Sequence, residues 1–379
     1  MRSDLVGAKR VVVKVGSSLL VDSESGALRV EWLRSLISDV AELRKANAEI
    51  LLVSSGAIAL GRRALDLRSG ELRLEESQAA AAVGQVRLAQ AYVDALHVFG
   101  FAAAQILVTL EDSENRRRYL NARETLRTLL LLGAIPVINE NDTVATAEIR
   151  FGDNDRLAAR IAGMTESDHL VLLSDIDGLY STNPQRDSRA GHIAEVANIT
   201  PGIEAMAEGP FSGTSRGGMK SKIAAAKMAT STGAAVIIAN GHVMHPLKAL
   251  TGPARRTLFV PSISPTAARK RWLAGGLSAK GFVTIDDGAE RALLSGKSLL
   301  PAGVVSVEGD FDRGDVVIVR NRAGAEVARG LVAYQAGEAR MLTGRRTVEI
   351  EGILGYRGRS EMIHRTDLVL TGTNKNGNE

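Results

Sequence analysis

The sequence predicts an α/β protein with an open, mostly parallel sheet sandwiched by helices, followed by a small, mostly β domain. Between residue 10 and about residue 240, short apolar runs alternate with longer helical patterns, as in folds that place helices on both faces of a sheet. The runs are continuously apolar rather than alternating, which is typical of parallel strands buried on both faces. Beyond residue 280 the pattern changes to short strands separated by turn signals.

The main domain is expected to span residues 1–252. Its predicted strands are the apolar runs Val11–Val15, Ile50–Val53, Ala104–Val108, Ile135–Ile138, Leu170–Leu173 and Ala235–Ala239. Its predicted helices lie near residues 30–46, 76–97, 114–132, 154–163 and 217–232. In such sheets ligands bind at the carboxyl ends of the strands, so the residues that follow each run are the candidates for function.

The remaining chain is expected to form a connecting arm, a small domain and a tail. Residues 253–279 contain three prolines, five basic and no acidic residues, which indicates a basic linker. Residues 280–366 are predicted to form a mostly β domain, and residues 367–379 a disordered tail. The expected strands of this domain are Gly281–Ile285, Val304–Val307, Asp315–Arg320, Glu326–Ala333 and Thr347–Ile350.

Composition excludes several classes of site. The chain of 379 residues has no cysteine, so it cannot contain a disulfide, a thiolate zinc site or a cysteine nucleophile. Its six histidines are scattered without the spacing of a zinc site. Lys14 interrupts the first apolar run, and no run approaches the 18 or so apolar residues of a membrane span, so we expect a soluble, cytoplasmic protein.

The net charge of +4 and the pI of about 9.4 raise the question of a nucleic-acid partner. The excess is local to the connecting arm. Residues 1–252 carry 28 basic and 29 acidic residues, and residues 280–379 carry 14 of each. A neutral C-terminal domain is a weak electrostatic footprint for RNA, so the charge argues against RNA as a partner.

The turns after the first two strands combine glycine with small polar residues. Lys14 and Gly16 could place an ammonium group and free backbone N–H groups around a phosphate. Ser54 and Ser55 could bind an anion on the N–H groups of the following turn. Taken alone, a snorkelling strand lysine and an ordinary helix N-cap explain these residues equally well or better.

The later turns are harder to explain by packing. Residues 139–142 (Asn-Glu-Asn-Asp) directly follow a buried strand and suit recognition of a polar substrate with an amine and carboxylates, although a polar turn is an alternative. Residues 152–155 (Gly-Asp-Asn-Asp) open a helix with more polar residues than an N-cap requires. Ser174 and Asp175 follow the fifth strand, where Asp175 could hold a lysine or a metal–nucleotide complex.

A glycine-rich loop then opens a helix whose first turns contain Lys220 and Lys222. Lysine in a first turn opposes the helix dipole unless an anion is bound, so this loop favours a phosphate ligand. It is not a P-loop of the Walker A type, because Met219 stands where that motif needs lysine.

In this order, the motifs resemble the amino-acid kinase family, and the region 281–365 is similar to a PUA domain. The two acidic motifs at 139–142 and 152–155 are most similar to the members that act on glutamate. The resemblance implies ATP-dependent phosphorylation of the γ-carboxylate of L-glutamate, the first step of proline synthesis. It also implies Mg²⁺ with the ATP, as in phosphoryl transfer generally.

Roles carried over from the resemblance fall on three groups of residues. Lys14 and Lys222 would stabilise the transferring phosphoryl group, with Asp155 holding both lysines. Ser55, Asp142 and Asn154 would bind glutamate. The expected contacts of ATP are Lys14, Ser174, Asp175, Arg216, Gly217, Gly218, Met219, Lys220, Ser221 and Lys222. Arg216 departs from the family, which commonly has a small residue there.

The resemblance further implies a homo-oligomer (a dimer or a tetramer), feedback inhibition by proline, and a glutamyl-phosphate reductase that takes up the labile product. Two alternatives stay open on the sequence. One is a related kinase acting on another carboxylate or phosphate substrate. The other is an RNA-binding protein that acts through the PUA-like region.

Overall fold

The computed structural model describes residue 5 and residues 7–67, 70–144, 154–184, 187–207, 218–275 and 278–371. The chain divides into two compact units, residues 1–266 and residues 267–379. Among the described helices, none combines the length and the apolar character that a bilayer span requires.

Unit 1 is built around a large sheet, and its predicted strands are observed with boundaries shifted by at most two residues. The strands of unit 1 are β1 (Arg10–Val15), β2 (Glu49–Ser54), β3 (Ala103–Val108), β4 (Ile135–Glu140), β5 (His169–Ser174), β6 (Leu179–Tyr180), β7 (His192–Ile193), β8 (Glu195–Val196), β9 (Ala235–Asn240) and β10 (Arg256–Phe259). Within the described residues, eight of them form one sheet in the order β3-β4-β2-β1-β5-β9-β10-β8. Neighbours from β3 to β9 are parallel, and β10 runs antiparallel to β9.

The helices of unit 1 cover both faces of this sheet. They are α1 (Ser17–Leu20), α2 (Val30–Lys45), α3 (Ala57–Ala64), α4 (Leu74–His97), α5 (Leu110–Glu114), α6 (Arg116–Leu131), α7 (Asn154–Met164), α8 (Pro201–Ala205), α9 (Met219–Ser231) and α10 (Pro246–Ala249), with α11 (Pro265–Gly275) crossing into unit 2. One apolar core lies between the sheet and helices α2 and α4, and a second lies between the sheet and helices α6, α7 and α9. This arrangement confirms the predicted open α/β sandwich.

Strand β1 shows how the two cores are filled. Successive side chains of a strand point to opposite faces of the sheet. Val11, Val13 and Val15 therefore enter the core beneath α2 and α4, whereas Val12 enters the core beneath α7 and α9. Lys14 shares the face of Val12, so a charged side chain points into an otherwise apolar layer. Burial on both faces is the reason why the strand sequence reads as a continuous apolar run.

Helices α3 and α4 approach each other backbone to backbone. A Cβ atom on Gly84 of α4 would overlap the carbonyl oxygen of Ala57, and one on Gly61 of α3 would overlap the carbonyl oxygen of Ala80. Only glycine permits so close an approach at these two positions. The contact fixes the position of α4 over the sheet and the rotation of α4 about its own axis.

Unit 2 is the expected small, mostly β body. Its strands are β11 (Gly281–Ile285), β12 (Val304–Gly309), β13 (Val316–Arg320), β14 (Glu326–Leu331) and β15 (Leu368–Leu370). They form a sheet in the order β12-β11-β13-β14-β15 with a core of its own. Its helices are α12 (Asp287–Leu294), α13 (Ala336–Leu342) and α14 (Ile350–Leu354).

The strand expected at Thr347–Ile350 was wrong. Thr347–Glu349 form a 3₁₀ turn that leads directly into α14. The Glu349 carboxylate accepts a hydrogen bond from the Arg346 backbone N–H at 2.7 Å, which caps the start of the turn. Local capping therefore outweighs the strand-like alternation of apolar side chains in this segment.

The segment 253–279, expected to be a linker, contains regular structure. Arg256–Phe259 form β10, where the Thr257 hydroxyl accepts a hydrogen bond from the Leu179 backbone N–H at 2.7 Å. Pro265 opens α11 at the first helical position, where a missing N–H costs nothing. The prolines and arginines of this segment thus begin elements as well as interrupt them.

The start of the expected tail is also ordered. Asp367 is buried in unit 2 and accepts a hydrogen bond from the Arg269 guanidinium at 2.6 Å. Leu368–Leu370 then pair with β14 as strand β15. Residues 372–379 lie outside the described residues.

Candidate active site

The carboxyl edge of the large sheet gathers the predicted polar side chains around β1. The chain turns to one side of β1 to form β2 and to the other side to form β5, so β1 is the point at which the strand order reverses. Crevices at such points are where open α/β sheets bind ligands. Strands β4 and β2 bring one set of residues to one side of the crevice, and β5 brings another set to the opposite side.

Three charged side chains meet at the centre of this crevice. The Asp155 carboxylate lies 2.7 Å from Lys14 Nζ through Oδ1 and 3.2 Å from Lys222 Nζ through Oδ2. All three residues are buried, with relative exposures of 8%, 1% and 5% for Lys14, Asp155 and Lys222. The structure therefore brings together residues that are far apart in the chain, with Asp155 lying 141 positions after Lys14 and 67 positions before Lys222.

The elements explain why these three side chains converge. Lys14 emerges from β1 on the face covered by α7 and α9. Asp155 lies in the first turn of α7, and Lys222 lies in the first turn of α9. A carboxylate in the first turn of a helix is favoured by the helix dipole, whereas a lysine there is not. The ion pair with Asp155 stabilises Lys222 at this position.

Asp155 is ionised in this setting. Burial by itself raises the pKa of the Asp155 carboxyl, but the Lys14 and Lys222 ammonium groups outweigh that effect and hold the pKa below its usual range. Together the three groups carry a charge of +1. A buried cluster of that charge is complementary to an anionic ligand such as a phosphoryl group.

A second cluster links α4, β4, α7 and the turn after β2. Asn154 Nδ2 donates to Ser55 Oγ at 2.6 Å and to Asn139 Oδ1 at 3.1 Å. Asn139 Nδ2 in turn donates to Gln85 Oε1 at 2.9 Å. Two of the predicted substrate-binding residues, Ser55 and Asn154, are thus in direct contact.

The turn that carries Ser55 is held from beneath by Tyr92. The Tyr92 hydroxyl donates to Ser54 Oγ at 3.0 Å, and Ser54 Oγ donates to the Ser55 carbonyl oxygen at 3.1 Å. Complete burial raises the pKa of Tyr92, so the phenol stays neutral. Gly56 follows with φ +111°, a conformation that favours glycine, and is the N-cap of α3.

Asp142 lies two residues beyond the end of β4, on the same side of the crevice. Burial raises the pKa of its carboxyl to about 6. A half-buried carboxylate with a raised pKa is one that a cationic ligand group would stabilise in its ionised form.

On the other side of the crevice, Ser174 ends β5 and donates to the Asp175 carboxylate at 2.9 Å. Ser174 is buried and Asp175 is exposed. At the start of α9, the N-cap Gly218 and Lys220 are exposed and Ser221 is half-buried, whereas the Met219 side chain packs in the core beneath the sheet. Arg216 and Gly217 were also predicted here and lie outside the described residues.

The acidic side chains at the same edge do not form a metal-binding cluster among the described residues. Across the part of the chain that the structure describes, no three histidine, aspartate or glutamate side chains converge as a metal-binding group would. The exposed Asp175 carboxylate is an oxygen ligand of the type that Mg²⁺ prefers alongside phosphates.

Gln85 and Tyr92 lie within a helix and not after a strand, so the motifs at the strand ends do not point to them. Both side chains lie on the buried face of α4, with Gln85 between Ala81 and Leu88 at helical spacing. A glutamine on an otherwise apolar helix stripe was the available signal, because buried polar groups need hydrogen-bond partners.

The chain is similar to two protein families and to known enzymes. The model of the amino acid kinase family matches residues 9–240, and the model of the PUA domain matches residues 281–354. The glutamate 5-kinase of Agrobacterium fabrum (strain C58 / ATCC 33970) is 57% identical over 371 residues, which cover 98% of this chain and 95% of that protein. The glutamate 5-kinase of Paramagnetospirillum magneticum (strain ATCC 700264 / AMB-1) is 55% identical over 370 residues, which cover 98% of this chain and all of that protein.

Among solved structures, the carbamate kinase from Giardia lamblia bound to AMP-PNP is 18% identical and has a TM-score of 0.48. The match covers 68% of this chain and all of that chain. Because the TM-score is below 0.5, this likeness supports no inference about the site.

Proposed function

The chain belongs to the amino acid kinase family, and on that premise we propose that it transfers the γ-phosphoryl group of ATP to the γ-carboxylate of L-glutamate. The products are ADP and L-glutamyl 5-phosphate, and the reaction is the first step of proline biosynthesis. The observation that carries the proposal is the 57% identity to a glutamate 5-kinase over 98% of this chain. The crevice at β1, with polar groups on one side and cationic groups at its centre, supports it.

The chemistry needs positioning and charge stabilisation more than proton transfer. A γ-carboxylate oxygen forms a bond to the γ-phosphorus, and the bond from that phosphorus to the bridging oxygen breaks with its electron pair going to ADP. The nucleophile is already ionised near neutral pH, so the reaction requires no general base. This agrees with a crevice whose central residues are two lysines and a carboxylate.

Lys14 and Lys222 are proposed to stabilise negative charge on the transferring phosphoryl group. Their ammonium groups approach the same carboxylate from different elements, β1 and α9, which suits contact with a phosphoryl group from two sides. Asp155 would hold both lysines in place by charge-assisted hydrogen bonds before substrates arrive. ATP binds with Mg²⁺, which neutralises part of the phosphate charge.

Glutamate is proposed to bind on the β4 and β2 side of the crevice. Asp142 would pair with the α-ammonium group, and Ser55 and Asn154 would contact the amino-acid end of the substrate. ATP is proposed to bind on the β5 side through Ser174, Asp175 and the first turn of α9, with Arg216 and Gly217 as further contacts. Lys14 on β1 lies between the two sides, which is where the γ-phosphoryl group would pass.

Several properties of the enzyme extend this proposal. Proline also carries an ammonium group and an α-carboxylate, so it would inhibit by occupying the glutamate side. The acyl phosphate product hydrolyses readily, which favours uptake by a glutamyl-phosphate reductase. We further propose a homo-oligomer, a dimer or a tetramer, acting in the cytoplasm, with the catalytic work carried out by residues 1–252.

The decisive experiment traps the acyl phosphate with hydroxylamine. We expect hydroxamate formation that requires L-glutamate, ATP and Mg²⁺ together. Aspartate and N-acetylglutamate are the control substrates. Activity with either control but not with glutamate would overturn the substrate assignment, and no activity with any of them would overturn the kinase proposal.

A further inference from the structure

The orientation of the buried amides beside Ser55 is fixed by one backbone group. The Glu140 backbone N–H donates to a side-chain atom of Asn139 at 2.9 Å. A backbone N–H can only donate, so this Asn139 atom is the oxygen, and the nitrogen of the same amide faces Gln85. The oxygen and the nitrogen of the Asn139 amide therefore have defined positions in the network.

Because the Asn139 amide has a fixed orientation, it determines which atom Gln85 and Asn154 each turn toward it. Gln85 must offer its oxygen to Asn139 Nδ2, at 2.9 Å. Asn154 must offer its nitrogen to Asn139 Oδ1, at 3.1 Å. Gln85, Asn139 and Asn154 are 8%, 2% and 7% exposed, so bulk water is a poor substitute for any of these partners.

Asn154 donates both of its amide protons within the protein, one to Asn139 Oδ1 and one to Ser55 Oγ. Its Oδ1 atom is buried and has no hydrogen-bond partner among the described residues. Because Ser55 Oγ accepts from Asn154, the Ser55 hydroxyl proton stays available to donate. The cluster thus offers one acceptor and one donor, which complement an ammonium group and a carboxylate.

We propose that Gln85 is a positioning residue for the amino-acid substrate. Acting through Asn139, it holds the Asn154 amide with the oxygen presented to the α-ammonium group and the Ser55 hydroxyl presented to a substrate carboxylate oxygen. Gln85 does not touch the substrate. This inference rests on the proposed function, since it assigns the polarity of the same glutamate site.

The place of Gln85 on α4 supports a role beyond filling space. It lies on the buried stripe of the helix, where an apolar side chain would avoid the cost of burying an amide. The backbone contact of Gly84 with Ala57 fixes the adjacent turn of α4 and so limits where the Gln85 amide can lie. The amide that it orients explains why a glutamine suits this position.

Steady-state kinetics of Gln85→Met and Gln85→Glu test the proposal. Methionine keeps the length of the side chain but removes the acceptor, so the Asn154 amide loses its fixed orientation. We expect the KM for glutamate to rise about tenfold, with the KM for ATP within about twofold of the parent value. Glutamate at position 85 keeps an accepting oxygen and should restore the KM for glutamate to within about threefold of the parent value.

The matched control is Gln90→Met on the same helix, whose side chain is exposed and hydrogen-bonded to Asp94. It should leave both KM values unchanged. If Gln85→Met does not fold, Gln85→Leu takes its place, and thermal unfolding is recorded for every variant. The activity of the parent protein with glutamate tests the proposed function separately. Failure of the proposed function can therefore be distinguished from failure of the positioning role of Gln85.

An unchanged KM for glutamate in Gln85→Met would overturn the positioning role. So would equal increases of both KM values, because they indicate general disruption. A Gln85→Glu variant as impaired as Gln85→Met would overturn it as well.

Discussion

The two ends of strands β1 and β5 carry charged residues for different purposes. At the amino ends, Asp168 accepts hydrogen bonds from the backbone N–H groups of Lys9 and Arg10 at 2.7 and 2.9 Å. The Arg10 guanidinium in turn donates to Glu49 at 2.7 Å and to the Thr165 carbonyl oxygen. These groups meet partners within the protein and lie near the surface.

At the carboxyl edge of the same sheet, most polar groups are more deeply buried, and they surround the crevice where the substrates are proposed to bind. Lys14 shares Asp155 with Lys222, Asn154 presents an acceptor, and Asp142 has a raised pKa. The amino ends also contain one buried nitrogen without a hydrogen-bond partner among the described residues, His169 Nδ1. Burial lowers the pKa of His169, so the ring stays neutral.

The difference between the two ends shows that burial and local pairing distinguish charged residues that stabilise the fold from charged residues that serve the proposed site. Charges that are paired locally and partly exposed stabilise the fold by modest amounts. Buried charges retained around a crevice are costly to keep without a ligand, and they are the groups whose removal should affect catalysis. Substitutions at each end should therefore separate activity from stability.

The largest effect is expected at the centre of the carboxyl end. Lys222→Ala removes one of the two ammonium groups proposed to face the transferring phosphoryl group, so kcat should fall about 100- to 1000-fold. Lys227→Ala on the same helix, which loses only an exposed pair with Glu204, is the control. A near-normal kcat in a folded Lys222→Ala variant, measured by hydroxamate formation, would remove Lys222 from the catalytic role.

An intermediate effect is expected at Asp142. Its pKa of about 6 means that the carboxylate is ionised above that pH and neutral below it. Since the ionised form is proposed to bind the α-ammonium group, kcat/KM for glutamate should fall about tenfold for each pH unit below about 6. Initial rates at subsaturating glutamate between pH 5 and pH 8 measure this profile.

Asp142→Asn is the variant that assigns the profile to this residue. It should raise the KM for glutamate about 10- to 100-fold and remove the decline below pH 6, because the amide does not titrate. The same acid limb in Asp142→Asn would assign the titration to another group.

The smallest effect on activity is expected at the amino ends. Asp168→Ala removes the acceptor of two backbone hydrogen bonds, which should lower the free energy of unfolding by about 1–2 kcal/mol. Thermal unfolding should show a lower Tm, while kcat and both KM values stay within about twofold of the parent values. A selective loss of glutamate or ATP binding would break the distinction between the two ends.

The fold was largely predictable because strands that are buried on both faces have a recognisable, continuously apolar sequence. Each predicted strand of the large sheet is observed within two residues of its expected bounds, since a strand covered by helices on both sides must be continuously apolar. The segments 253–279 and 347–350 were less predictable. Their structure depends on contacts such as the Leu179 N–H with Thr257 and on the capping of Arg346 by Glu349.

The sequence by itself determined which residues follow the strands and therefore which side chains reach the carboxyl edge. Lys14, Ser55, Asp142 and Ser174 could be placed there because parallel strands end at a common edge. Only the tertiary structure decided how those groups are oriented. Gln85 lies 54 residues before Asn139, and their contact depends on the rotation of α4, which the close approach of Gly84 to Ala57 sets. A hydrogen bond between distant residues requires packing to bring both groups within about 3 Å, and local patterns in the chain do not encode that distance.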